Sequence, residues 1–298
     1  MFRRVNIVEE LLNRKASVND GREEELLTPL HMAAAVGNVA IMNKLLEREA
    51  DPNAQCGFYG GVVNAAIQSG NVDAVKILVG KGVSLANPED DCDDADSKDG
   101  EDIDEDVDEN DDEKDEENEN ENEDENEEYE DDDDGEDEIT RAPLASAALR
   151  SDTFMFDFLV ENYSDRLPPK EFDTAFIKAA GAGRMEVFKK LLSDYKHTKK
   201  VFQEALEEAT YGEQWDVVML LLEAQPGLNC DDPMTYASWA DEGKEELMVM
   251  EAMWEYSGGS VSAKALDESL YAATDYENLE AVKLLLRFGA SPDAVGKE

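Results

Sequence analysis

The sequence predicts an all-α fold, a helical solenoid of about seven and a half repeats interrupted by a disordered acidic insertion. Three observations carry that prediction. Apolar and small residues recur along the chain with a period of 33 to 34. One segment, 89–138, holds 35 of the 74 acids but only two of the 27 bases, Lys98 and Lys114. No apolar run comes near the roughly 20 residues that cross a bilayer; the longest are stretches such as Val217 to Leu222.

The elements follow in chain order. Residues around Val5 to Leu12 supply one apolar helix, a half repeat, and Leu11-Leu12 stands 34 residues before Leu45-Leu46. Gly37-Asn38 recurs 33 residues later as Gly70-Asn71, and Leu45-Leu46 as Leu78-Val79. After the acidic segment the cycle resumes. Ala147-Ala148 leads to Phe158-Leu159, and Ala179-Ala180 with Gly183 leads to Leu191-Leu192. Gly212 then precedes Leu220-Leu221-Leu222, and Ala273 precedes Leu284-Leu285-Leu286. A weaker copy runs from Ala237 to Trp254, with Gly243 at the turn. The chain therefore divides into N-terminal repeats (1–88), the acidic insertion (89–138) and about five divergent C-terminal repeats (139–298).

Each copy has one internal logic. Paired small residues, such as Ala33-Ala34, suit a helix lying close to its neighbour, and a turn follows. A second helix then carries apolar residues at i, i+3 and i+4 spacing, as in Ile41, Leu45 and Leu46. Two such helices cannot bury their apolar faces alone, so stacked neighbours must complete the core.

Thr28-Pro29-Leu30-His31-Met32-Ala33-Ala34, followed by Gly37 and Leu45-Leu46, resembles the ankyrin repeat, with its Thr-Pro-Leu-His signature and 33-residue period. The junction from Ala50 to Gly60 resembles those of multi-repeat ankyrin proteins of filamentous fungi. The resemblance weakens along the chain, since the third repeat keeps only Pro143-Leu144. It implies a protein-binding scaffold without chemistry of its own, and a structural role for His31 as a hydrogen-bond partner across repeats.

The residues offer no catalytic or metal constellation. The two histidines, His31 and His197, are far apart, and His197 sits in a polar loop where it is expected to be solvated. Cys56, Cys92 and Cys230 form neither a disulfide framework nor a zinc knuckle. Gly181-Ala182-Gly183 has Glu186 where a dinucleotide fingerprint needs a third glycine. Gly80-Lys81-Gly82 has Val75 at the first P-loop glycine and no hydroxyl residue after the lysine. No cofactor and no metal are expected, and the chain reads as a non-enzyme.

Charge shapes the remaining expectations. A formal net charge of −47 opposes nucleic-acid binding through phosphate repulsion. Between 89 and 138 only Cys92, Ala95, Ile103, Val107 and Tyr129 are apolar or aromatic, too little to offset ordering entropy. That segment is open to use as a spacer, as a docking tail for basic proteins in the manner of a histone chaperone, or as a loose collector of divalent cations. By contrast, residues 166–200 hold nine bases against four acids. Phe58 and Tyr59, read as exposed junction aromatics, and Lys196, Lys199 and Lys200 are the candidate partner-binding residues. The expected function is binding of a protein partner through the concave repeat face. With no signal-peptide core after Met1-Phe2-Arg3-Arg4 and no disulfide pattern, an intracellular setting, cytoplasmic or nuclear, is expected. Because the chain enters mid-repeat and ends after a complete one, its ends are expected to fray or associate.

Overall fold

The structure is a computed structural model and describes residues 2–21, 27–56, 59–86, 142–239 and 244–293. Among the described residues a single helix, α1 (Phe2–Asn13), precedes seven helix pairs. These are α2 (Pro29–Ala35) with α3 (Val39–Glu47), α4 (Val62–Ser69) with α5 (Val72–Gly80), and α6 (Pro143–Ala148) with α7 (Phe154–Tyr163). Next come α8 (Pro169–Gly181) with α9 (Met185–Asp194) and α10 (Lys199–Tyr211) with α11 (Trp215–Ala224). The last are α12 (Asp231–Trp239) with α13 (Lys244–Tyr256) and α14 (Ala263–Asp275) with α15 (Leu279–Phe288). Seven pairs and one unpaired helix are the seven and a half repeats that the period predicts.

The first helices of the pairs form one row in which each packs on the next, from α2 to α14. Small residues make that approach possible. Ala33, Ala34, Ala66, Ala147, Ala179, Ala180, Ala209 and Ala237 are all buried in the row. Second helices form the other layer, with α1 on α3, α3 on α5, α11 on α13 and α13 on α15. They close the core with Leu45, Leu78, Leu159, Leu191, Leu221 and Leu285, all buried. The thin core between two rows is what nearest-neighbour stacking requires.

Residues 89–138, Phe58 and Gly243 lie outside the described residues, so the expectations placed on them do too. On either side of the insertion the row is continuous, because α4 packs directly against α6. Arg150 joins them, donating to the carbonyls of Ile67 and Gln68 at the C-terminal end of α4. The Ile67 carbonyl also accepts the Gly70 amide, and a guanidinium there adds a second donor and complements the negative end of the helix dipole. In the second layer Lys76 lies 5.4 Å from the centre of the Phe158 ring.

Two details depart from the sequence reading. Among the described residues one hairpin interrupts the helices, β1 (Gln55–Cys56) pairing antiparallel with β2 (Gly60–Gly61). The turn assigned to Gly212 places its left-handed residue one position later, at Glu213 with φ 55°. Gly212 is required for another reason: a Cβ there would stand 2.2 Å from the Gly181 carbonyl oxygen of the neighbouring helix. Close passage of α10 over the end of α8 demands the glycine.

Candidate functional site

The junctions between repeats hold most of the polar side chains that look functional in the sequence. Thr28 caps α2, and His31 completes a capping box with it. The Thr28 amide faces His31 Nδ1 at 3.4 Å, while His31 Nε2 meets the Gly60 carbonyl oxygen at 3.2 Å. Nδ1 therefore accepts and Nε2 donates, which describes a neutral ring tying α2 to the hairpin of the following repeat. Burial pushes the His31 pKa below its ordinary value, against weaker opposing effects of backbone bonds at Gly60 and Ala54. His31 thus has the structural role that the resemblance implies.

His197 differs from its expectation. Its side chain is 1% exposed rather than solvated, with Nδ1 2.7 Å from Asp173 Oδ1 and Nε2 3.2 Å from the Leu191 carbonyl oxygen. The ring stacks on Phe176 at 4.1 Å, and Phe176 also packs on Phe188 and Phe202. Aromatic stacking plus a half-buried carboxylate partner outweighs the polarity of the flanking lysines, so the loop turns its histidine inward.

Asp173 belongs to a series. Six residues before the buried small residues Ala179, Ala209, Ala237 and Ala273 stand Asp173, Gln203, Asp231 and Asp267. Each ties down an outgoing junction. Asp173 holds His197; Gln203 exchanges two bonds with the Asn229 backbone, at 2.8 and 2.9 Å. Asp231 Oδ1 accepts the Ser262 amide at 2.8 Å, and Asp267 Oδ1 accepts the Ser291 amide at 2.7 Å. In the third repeat Ala142 precedes α6 and offers no side-chain cap; Glu171 Oε2 from α8 accepts the Leu144 amide at 2.9 Å instead.

The candidate partner-binding residues are scattered. Tyr59 is half-buried and packs against the core, with its amide 3.2 Å from Cys56 Sγ, so it is not the exposed anchor that was expected. Burial, and secondarily Cys56, raises its pKa. Lys196, Lys199 and Lys200 are exposed, and Lys200 pairs with Glu204 at 3.3 Å. Three helix pairs, α4 to α9, lie between Tyr59 and these lysines along the chain, so they make no joint site.

A contiguous exposed surface instead lies on the first helices of the fifth and sixth pairs. Tyr211 at the end of α10 and Tyr236 and Trp239 on α12 are 73%, 36% and 45% exposed. Their rings meet edge to face, Tyr211 to Tyr236 at 5.8 Å and Tyr236 to Trp239 at 5.1 Å. A sequence signal for it exists. Tyr211 and Trp239 each stand two residues after the buried small residue of their repeat, a position that helical spacing turns to solvent.

No group of His, Cys, Asp and Glu suited to a metal ion occurs among the described residues. None of the described helices is long and apolar enough to cross a membrane. Burial pushes the Cys230 thiol up to about 12, with Asp231 adding to the shift, which leaves it protonated and unreactive near neutrality.

Comparison with known proteins agrees with the helix pairs. Residues 11–60 match the family described as ankyrin repeats (many copies), and residues 269–297 match the ankyrin repeat itself. No curated protein matches the chain. Among solved structures, the human ASB11 ankyrin repeat domain is similar at 18% identity and a TM-score of 0.49, over 89% of this chain and 100% of that one. With repeats recognised over 11–60 and 269–297 and seven stacked pairs among the described residues, the fold is an ankyrin-repeat solenoid. Ankyrin repeats in general mediate protein–protein interaction.

Proposed function

We propose that this solenoid is a non-enzymatic interaction scaffold, intracellular, that binds a partner protein through the concave face of its first-helix row. The observation that carries the reading is the uncovered ring cluster of Tyr211, Tyr236 and Trp239 spanning two repeats. Large rings are costly to leave in water, and tyrosine and tryptophan are enriched among residues that dominate interface energies. A second reading is favoured by charge density: the 35 acids within 89–138 suit them to hold basic proteins without any folded site.

Affinity capture with the full chain separates the two. Replacing Tyr211 and Trp239 together by Ala should abolish retention of the partner, while a second-layer control, Met248→Ala, should leave it intact. Retention unchanged by the first-row replacement, but lost on removing 89–138, would transfer the function to the acidic segment.

A further inference from the structure

The ring cluster sits in a distinctive electrostatic setting. From Val201 to Gly243 the chain has ten Asp and Glu and no Lys, Arg or His. Carboxylates fall beside the rings by helical spacing, with Glu207 four residues before Tyr211 and Asp232 four before Tyr236. Glu208, three before Tyr211, already takes one cation, since Lys178 of α8 reaches its Oε1 at 3.2 Å. Asp232 makes no ion pair among the described residues and is exposed.

We propose that this face of α10 and α12 takes an arginine-rich segment of a partner protein, a reading that rests on the scaffold function and names its partner class. Guanidinium groups stack on Tyr211, Tyr236 and Trp239, whose edge-to-face order leaves successive ring faces open to a cation. Glu207 and Asp232 then receive the N–H groups that stacking leaves at the edge of the guanidinium plane. Arginine fits better than lysine because its planar, weakly hydrated cation can stack and bind a carboxylate at once. The same carboxylates repel phosphate, so neither nucleic acid nor an anionic membrane suits the face. They equally repel the chain's own acidic segment, which excludes it as the occupant. On the flanks, the base-rich stretch 166–200 on one side sets the direction in which a cationic segment can extend.

The test is fluorescence anisotropy of a labelled peptide of alternating arginine and glycine, titrated with the full chain at an ionic strength of about 0.15 M. Trp239→Ala should weaken binding by about ten-fold or more, in the range of interface hot spots. Trp239→Phe, which keeps a ring, should recover most of that loss. Replacing Glu207 by Gln and Asp232 by Asn, surface changes that leave the core untouched, should also weaken it several-fold. A matching lysine–glycine peptide should bind less tightly. Equal binding by wild type and all these variants would overturn the inference and assign the peptide to 89–138, as would equal affinity for the lysine peptide. Should the captured partner need Trp239 yet offer no arginine-rich segment, the scaffold reading stands and this inference fails.

Discussion

The early and late repeats solve the same junction problem with different chemistry. In the second and third pairs of helices and the one before them, the first helices are short: seven residues in α2, eight in α4 and six in α6. Polar contact between repeats there includes His31 on the hairpin, Asn71 donating to the Gly37 carbonyl, and Arg150. In the later pairs α8, α10 and α14 have thirteen residues each. Their extra first turn brings Asp173, Gln203 and Asp267 within reach of the outgoing loop, so no hairpin is needed to hold it. In the shorter α12, Asp231 occupies the same register at the helix start and does the same work. A repeat stack tolerates this exchange because each unit must satisfy only its own junction and its neighbour's.

The two regions should part most clearly at Phe176, the centre of the late aromatic packing. Phe176→Ala should cost about 3–5 kcal/mol. Amide exchange should accelerate through α8 to α11 while α2 and α4 keep their protection. Uniform acceleration along the chain would show that the two regions unfold as one.

A smaller effect is expected at the junction carboxylates. Asp173→Ala strips the carboxylate from buried His197 and should cost about 1–3 kcal/mol in urea unfolding. Asp173→Asn, which retains an acceptor, should recover part of it. Indistinguishable melting of Asp173→Ala and wild type would mean that the late carboxylates decorate the junctions without holding them.

The pH response should separate the regions further. Since the folded pKa of His31 lies below its ordinary 6.5, the unfolded chain binds more protons as pH falls through that value. The contribution is fully present above 6.5 and is lost below it, by no more than about 1.4 kcal/mol per pH unit for one proton. Compared with His31→Gln, the wild type should therefore lose more stability between pH 7.5 and 5.5, a range of about two units. Parallel curves for the two proteins would exclude His31 as a source of the dependence.

The smallest expected effect concerns thiols. Cys230, buried in the late region and raised to about 12, should react with a thiol reagent near neutral pH only as fast as that region opens. Rapid modification of Cys230 in the folded protein would contradict the burial.

Repeat number, helix pairing and the small-residue row were legible in the residues, because the 33-residue period, Ala33-Ala34 and its echoes, and the Leu45-Leu46 pattern are all local in sequence. The resemblance carried by the Thr-Pro-Leu-His segment implied a hydrogen bond from His31 across repeats, which the contact with Gly60 supplies. Tertiary structure alone decided that His197 turns inward. Its partners, Asp173 and Phe176, stand more than twenty residues away and are brought beside it only when α8 packs against its loop. The same holds for Arg150, whose carbonyl partners lie 82 and 83 residues earlier across the insertion. For the ring cluster, the spacing after Ala209 and Ala237 is a signal for Tyr211 and Trp239 alone, and it brings neither of them beside Tyr236. Tyr211 meets Tyr236 through the stacking of two helices, and the register of that stack is set by the buried small residues between them.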